Sequence, residues 1–228
     1  MPRMRTLFLV SALLMSGLVA CGDSSSSSGP ADAKVADAKP IDAPAQMGAP
    51  DCDTYCTAIQ AHCLTTNAQY PSVDQCKATC TAFTVGKLTD SSGNTVGCRE
   101  YHAGTPAMTD PVTHCPHAGP GGDLVTAAAP GTCGDACTSL CTIHIKTCGS
   151  MDAPLTGITP GYKNMAECIT ACAGFDKTMP YSPSATGNTL ACRLYHVTNA
   201  ALNSAMGNVA ATNAHCGHSS ETPASVCK

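Results

Sequence analysis

Cysteine and apolar residues recur at helical spacing in two separate segments of the chain. A spacing of i, i+4, i+7 and i+11 puts four side chains on one face of an α-helix. Two sets of residues have this spacing: Cys52, Cys56, Ile59 and Cys63, then Cys137, Cys141, His144 and Cys148. The pattern therefore predicts one helix that begins near residue 52 and another that begins near residue 137.

A second helix should follow each of these, because another pair of cysteines four residues apart stands among apolar residues. The apolar positions are Val73, Cys76, Cys80 and Phe83 in the first segment, and Met165, Cys168, Cys172 and Phe175 in the second. A capping pattern precedes both helices, with a polar residue three positions before Gln or Glu: Ser72 with Gln75, and Asn164 with Glu167. In such a pattern side chain and backbone satisfy each other's free groups at the helix start.

The two segments are copies of one unit. Without Cys21 the cysteines divide into two sets of eight, and both sets run C-x3-C-x6-C, then C-x3-C, then isolated cysteines. The segments GNTVGCREYH, which ends at His102, and GNTLACRLYH, which ends at His196, are identical at seven of ten positions. We predict an internal duplication, with repeat 1 at residues 51–134 and repeat 2 at residues 135–228.

Two C-x3-C helices in succession suggest an antiparallel hairpin clamped by two bridges, in which the outer cysteines pair. The expected pairs are Cys52–Cys80, Cys56–Cys76, Cys137–Cys172 and Cys141–Cys168. This pattern resembles the twin C-x3-C hairpins of small proteins of the mitochondrial intermembrane space, a geometric resemblance that implies no function. The other four cysteines of each repeat allow three connectivities. We expect bridges that close a loop at the end of each repeat: Cys115–Cys133 and Cys216–Cys227.

A third helix should begin after Asn94 and after Asn188, and it would carry the shared C-R-x-Y-H segment. The chain has no Trp, 3 Phe and 6 Tyr, so a large aromatic core is not available. The high cysteine content of an exported chain instead indicates a disulfide scaffold, since small cores need cross-links. The predicted fold class is all-α and disulfide-rich: two tandem repeats of a disulfide-clamped helical hairpin, each with a third helix and a bridged loop.

Residues 1–20 have the pattern of an export signal. Arg3 and Arg5 precede a mostly apolar stretch that is too short to span a bilayer. The sequence Leu-Val-Ala-Cys that ends at Cys21 resembles the lipobox of bacterial lipoproteins. This resemblance implies cleavage before Cys21 and a membrane anchor of diacylglycerol on that cysteine, usually with an N-acyl group such as palmitate. Ordinary cleavage that leaves Cys21 free is the alternative. Gly22 implies, by the same resemblance, sorting to the outer membrane.

Residues 21–50 are rich in Ser, Ala, Asp and Pro and contain no aromatic residue. Such a segment cannot bury enough apolar surface to fold, so we expect a disordered tether. Its composition resembles that of predicted cysteine-rich lipoproteins of myxobacteria. The tether would hold the folded part away from the membrane.

Histidines recur at matched positions of the two repeats and form the main candidate site. They are His102, His114 and His117 in repeat 1, and His196, His215 and His218 in repeat 2. The last two of each set form a His-Cys-x-His motif, and a third imidazole from a nearby helix would complete a three-His site suited to Zn²⁺ or Cu²⁺. In the alternative interpretation these are polar residues of a turn rich in Gly and Pro. Bridged cysteines cannot ligate, and no other cofactor is expected.

Arg99, Tyr101, Arg193 and Tyr195 recur as well. They form either a ligand-facing patch or, in the interpretation that we favour, a structural set with Tyr packed inward and Arg bonded to carbonyl or carboxylate groups. The chain carries no C-x-x-C-H, C-x-x-C, H-E-x-x-H or G-x-S-x-G motif, so catalysis has little support.

Charge and motifs together restrict the function classes. Loss of the signal would take the net charge from −4 to −6, and no basic patch is present, which argues against nucleic-acid binding. We expect a non-enzymatic structural or interaction module at the cell envelope, with the membrane as anchor and an envelope protein or a glycan as partner. A Zn- or Cu-binding envelope protein is the second hypothesis.

Overall fold

Each repeat begins with a helix whose first turn is capped by an aspartate. Asp51 Oδ1 accepts hydrogen bonds of 2.8 Å from the backbone N–H groups of Asp53 and Thr54. Asp135 Oδ1 accepts one of 2.9 Å from the N–H of Thr138. These caps satisfy donors that the helix itself leaves free.

The computed structural model describes residues 48–123, 131–223 and 226–228. The predicted signal, Cys21 and nearly all of the tether therefore lie outside the described residues. Within those residues the chain is helical, as follows: α1 (Cys52–His62), a 3-10 helix (Thr65–Asn67), α2 (Val73–Cys80), α3 (Val96–Ala103), α4 (Thr105–Thr109), α5 (Pro111–Ala118), α6 (Ala136–Cys148), α7 (Met165–Ala173), α8 (Leu190–Ala205) and α9 (Val209–His218). The expected all-α, disulfide-rich class is confirmed. None of the helices in the described part is long and apolar enough to cross a membrane.

The capping residues of α2 and α7 act as predicted at one of their two expected contacts. Ser72 Oγ accepts from the N–H of Gln75 at 3.2 Å, and Asn164 Oδ1 accepts from the N–H of Glu167 at 3.1 Å. The reciprocal contact differs, because the Gln75 side chain turns away and donates to Thr198 in repeat 2. The Glu167 side chain accepts from the N–H of Lys163, one residue before the cap.

Four disulfides clamp the two hairpins in the register that the spacing indicated: Cys52–Cys80, Cys56–Cys76, Cys137–Cys172 and Cys141–Cys168. The expected bridges Cys115–Cys133 and Cys216–Cys227 are wrong. The structure instead has these four pairs: Cys63–Cys115, Cys98–Cys133, Cys148–Cys216 and Cys192–Cys227. The segment around Cys115 is a helix docked on the first helix of the repeat, so its sulfur meets the end of that helix.

The His-Cys-x-His motifs lie inside helices α5 and α9, and the segment that follows each helix is bridged to α3 or α8 through Cys133 or Cys227. A local signal for α5 exists in the sequence. Asp110 caps the helix by accepting from the N–H of Thr113 at 3.2 Å, and Pro111 occupies the first helical position, where its missing N–H costs nothing. Asn208 caps α9 in the same way.

The repeats differ where α3 and α4 are separate helices and α8 is continuous. Gly104 has a non-helical backbone conformation, and Pro106 lacks the N–H that would continue the helical ladder. Thr198 and Ala200 stand at the corresponding positions of α8, so that helix runs on without a break.

Half-cystines and a few large side chains share the core. Tyr55 is fully buried, donates from its hydroxyl to the Ala118 carbonyl at 2.6 Å and contacts the Tyr70 hydroxyl at 3.1 Å. In repeat 2 the hydroxyl of Tyr162 donates to the Ser219 carbonyl at 2.9 Å. Both repeats therefore fix the end of their last helix to the core through a tyrosine.

Candidate metal centres

Helical spacing places both histidines of each His-Cys-x-His motif on one face of their helix. His114 and His117 stand three apart on α5, and His215 and His218 stand three apart on α9. The cysteine between them points into the core and holds its helix to the first helix of the repeat by a bridge. The motif therefore presents both histidines from a helix, and the turn rich in Gly and Pro of the alternative interpretation is not its structure.

The third histidine of each set reaches its partners from the neighbouring helix. We call His102, His114 and His117 cluster 1. The Nδ1 atoms of His102 and His114 lie 2.8 Å apart, and the His102 ring centroid lies 4.9 Å from that of His117. One nitrogen from each of the three rings falls within 4.8 Å of the others.

Polar partners outside cluster 1 face the Nε2 atoms of two of these rings, His102 and His117. His102 Nε2 lies 3.1 Å from the Ser91 carbonyl oxygen, which can only accept, so Nε2 carries the proton and Nδ1 presents a lone pair to the cluster. His117 Nε2 lies 3.5 Å from Asp123 Oδ2. His117 Nδ1 is buried and has no hydrogen-bond partner among the described residues. Backing of ligand imidazoles by a carbonyl and a carboxylate is the usual outer shell of a metal site.

Repeat 2 reproduces the arrangement. We call His196, His215 and His218 cluster 2. The Nδ1 atom of His196 lies 2.9 Å from that of His215 and 3.4 Å from that of His218. One nitrogen from each ring again lies within 4.8 Å of the others. Sequence and geometry therefore agree on two equivalent three-His sets.

Burial lowers the pKa of four of these six histidines, which keeps their rings neutral near pH 7. Burial lowers the pKa of His102 and of His215, and the neighbouring imidazoles lower each pKa further. Burial also lowers the pKa of His196 to about 4, again with help from its neighbours. For His117, burial lowers the pKa and Asp123 acts in the opposite direction. A neutral imidazole offers a lone pair, which is the form that a metal ion binds.

The donor set fits a small cation with nitrogen preference. Zinc–nitrogen bonds of about 2.0–2.1 Å at tetrahedral angles separate two ligand nitrogens by about 3.3 Å. The His196–His218 separation of 3.4 Å already matches this value, and the shorter His102–His114 contact would open by a few tenths of an ångström. Three imidazoles leave a fourth position of a tetrahedral ion for a water or another ligand.

Cysteine sulfurs lie beside both clusters without being available as ligands. The sulfurs of Cys98 and Cys133 lie within 4.8 Å of a His102 nitrogen, and those of Cys192 and Cys227 stand equally close to His196. Both pairs form disulfides, so their sulfurs carry no thiolate charge. They frame the site and hold the helix that presents the third histidine.

The recurrent arginines are structural. Arg99 is fully buried, stacks over the Phe83 ring with its guanidinium carbon 3.6 Å from the centroid, and donates to the Gly119 and Thr95 carbonyls. Arg193 stacks on Phe175 at 3.7 Å in the same way. The expectation that Arg satisfies carbonyl groups therefore holds for both repeats.

The tyrosines beside these arginines depart from the expectation of inward packing. Tyr101 is 46% exposed, and its ring meets the edge of His102 at a centroid distance of 5.0 Å. Tyr195 is half-buried and contacts His196 similarly. Both rings therefore border the histidine clusters rather than the core.

Sequence reasoning missed the outer partners of cluster 1. Ser91 contributes only a backbone carbonyl, which no side-chain pattern can indicate. Asp123 follows His117 by six residues, beyond the reach of a helical spacing rule, and the turn at Gly119–Gly122 brings it back. His62 and His144 lie outside both clusters; His62 bonds the Ala103 carbonyl and His144 is part of the core.

The described residues form an all-α, cysteine-rich protein in which each repeat carries one three-histidine cluster. Residues 31–129 match the model of the BfoA family C-terminal domain, which covers less than half of the chain and includes cluster 1. The match and the disulfides fit a structural module. Neither a curated protein nor a solved structure matches the chain.

Proposed function

We propose that this chain is a metal-binding protein of the cell envelope that holds one Zn²⁺ or Cu²⁺ ion at each histidine cluster. The supporting observation is that three imidazole nitrogens converge in both repeats, and that Nε2 of His102 and of His117 faces an acceptor outside cluster 1. A solvated polar patch would not need this orientation.

The scaffold suits such a role. Each cluster is presented by two helices, and each of these helices is fixed by its own disulfide. A preorganised site binds a metal with little loss of conformational entropy. The sites would bind and hold the ion, and the proposal includes no catalysed reaction.

The location is part of the same proposal. Lipid on Cys21 would anchor the chain to the outer membrane, and residues 21–50 would act as the tether. Globomycin-sensitive processing together with radiolabelled fatty acid on Cys21 would support this location. Secretion of unlipidated protein with a free Cys21 thiol would contradict it.

Metal content of the purified protein tests the binding proposal directly. After loading with Zn²⁺ or Cu²⁺ and desalting, the wild type should retain two ions per chain by plasma mass spectrometry. His114→Ala with His117→Ala should retain one, His215→Ala with His218→Ala should retain one, and the fourfold variant none. Cu²⁺ bound at the clusters should also give nitrogen hyperfine structure in electron paramagnetic resonance.

A histidine outside the clusters provides the matched control. His62→Asn keeps a side-chain N–H near the Ala103 carbonyl, and it should leave the metal content at two. Wild-type protein that retains no metal, or retention that the four cluster substitutions do not change, would overturn the proposal. Circular dichroism of each variant separates loss of ligands from loss of fold.

A further inference from the structure

Repeat 1 receives the first helix of repeat 2 through a small set of polar contacts. Arg99 Nη2 donates to Ser139 Oγ at 3.2 Å, and Ser139 Oγ lies 3.4 Å from Asn94 Oδ1. Asn94 Nδ2 donates to Thr142 Oγ1 at 3.4 Å. Two hydroxyl groups three residues apart on α6 thus sit on an asparagine and an arginine of repeat 1.

The equivalent positions of repeat 2 border an open cleft of about 710 Å³. Asn188 and Arg193 line it, together with Phe175, Glu221 and Lys228. Asn188 is exposed, whereas its counterpart in repeat 1 is half-buried under α6.

Arg193 repeats most of the contacts of Arg99. It stacks on Phe175 and donates to the carbonyls of Ser220 and Thr189 at 3.2 Å each. The contact that corresponds to Arg99–Ser139 would come from a helix in the cleft. The described residues of the chain contribute no such helix there.

Helix α1 carries hydroxyl groups at the positions through which α6 contacts Asn94 and Arg99 of repeat 1. Aligned on their cysteines, Thr54 and Thr57 of α1 occupy the positions of Ser139 and Thr142. Both threonines are exposed. The Thr54 hydroxyl donates to Asp51 at 2.9 Å, so its oxygen can still accept from a guanidinium group.

The two repeats contact each other through different faces, so the same kind of contact can form between two molecules. Helix α2 of repeat 1 packs on α8 of repeat 2, and Gln75 Nε2 donates to Thr198 Oγ1 at 2.9 Å. In the described part of the chain, α7 does not pack extensively on α3, so the two repeats are not related as a closed pair. A contact between different faces leaves one free copy of each face, at opposite ends of the molecule.

We infer that the cleft of one molecule receives helix α1 of a second copy of this chain. Thr54 and Thr57 of the second copy occupy the places of Ser139 and Thr142, and the molecules associate head to tail. The inference does not depend on metal binding. The contact is weaker than the internal one, because Glu167 and Gly104 replace the Gln75–Thr198 pair and cannot form its hydrogen bond.

Two charged substitutions at exposed positions test the inference. Thr57→Arg blocks the exposed face of α1, and Asn188→Arg blocks the cleft; neither side chain is buried in the molecule. Sedimentation equilibrium should give mass that rises with concentration for the wild type and monomer for each variant. Ser204→Arg, an exposed change on α8 away from both surfaces, should associate like the wild type.

A mixture of the two variants is the decisive sample. Each variant retains one intact surface, so an equimolar mixture should form a one-to-one dimer and nothing larger. A symmetric contact would instead give no recovery on mixing. A wild type that stays monomeric to millimolar concentration, or variants that associate like the wild type, would overturn the inference, and neither result bears on the metal content.

Discussion

Acidification should destabilise repeat 2 through one buried histidine. His144 is fully buried on α6, and its Nδ1 lies 3.0 Å from Ser219 Oγ. The Ser219 hydroxyl donates to the Cys216 carbonyl at 3.1 Å, so its oxygen accepts from His144 and the Nδ1 atom carries the proton. His144 Nε2 is buried without a hydrogen-bond partner in the described structure. A second proton on this ring would therefore place an unpaired charge in the core.

The size of the effect follows from the pKa. Burial lowers the pKa of His144 to about 3, against 6.5 for an exposed histidine. The unfolded chain therefore binds the proton first, and stability is lost as the pH falls below 6.5 until it reaches about 3. Each unit of pH in this window costs about 1.4 kcal/mol, which amounts to about 2 kcal/mol at pH 5 and about 3 kcal/mol at pH 4.

Repeat 1 supplies the substitution that removes this titration. Ile59 stands at the position of His144, and Ala118 at that of Ser219. His144→Ile with Ser219→Ala therefore rebuilds in repeat 2 a pair that the fold already accommodates. Urea unfolding with the disulfides intact, from pH 7 to pH 4, measures the free energy of unfolding of both proteins.

The informative quantity is the difference between the two pH profiles. From pH 7 to pH 5 the wild type should lose about 2 kcal/mol more than the variant. Ser219→Ala alone should keep most of this dependence, because burial rather than the hydroxyl sets the pKa. Parallel profiles for wild type and double variant would refute the assignment of a neutral, buried imidazole at position 144.

Three further predictions concern the metal clusters and the scaffold. Asp123→Asn should weaken metal binding at cluster 1 by roughly 10-fold or more and leave cluster 2 unchanged in calorimetric titration, and equal losses at both would contradict the role of this carboxylate. Arg99→Lys should lower the melting temperature more than Arg193→Lys does, because Arg99 bonds Ser139 in a helix of the other repeat and Arg193 has no such bond among the described residues; equal shifts would count against this. Cys63→Ser with Cys115→Ser should cost roughly 4 kcal/mol in urea unfolding, and non-reducing peptide mapping of the wild type should link Cys63 to Cys115, a link whose absence would disprove the bridge.

The sequence by itself determined the parts of this protein that depend on local spacing. Cysteines four residues apart on successive helices face each other in only one antiparallel register, which is why the hairpin pairs could be derived. The matched histidines were visible for a similar reason, since a duplicated sequence repeats its chemistry at fixed positions. No helix was predicted over His114 and His117, so the helical spacing that brings them to one face came from the structure.

Tertiary structure decided what depends on how helices dock. Cys63 pairs with Cys115 across 52 residues because α5 packs beside the end of α1, and no local rule ranks that pair above Cys115–Cys133. Docking also gives cluster 1 its third histidine and brings Asp123 to His117. Burial, finally, lowers the pKa of His144, because the cost of a charge depends on the surroundings that folding creates.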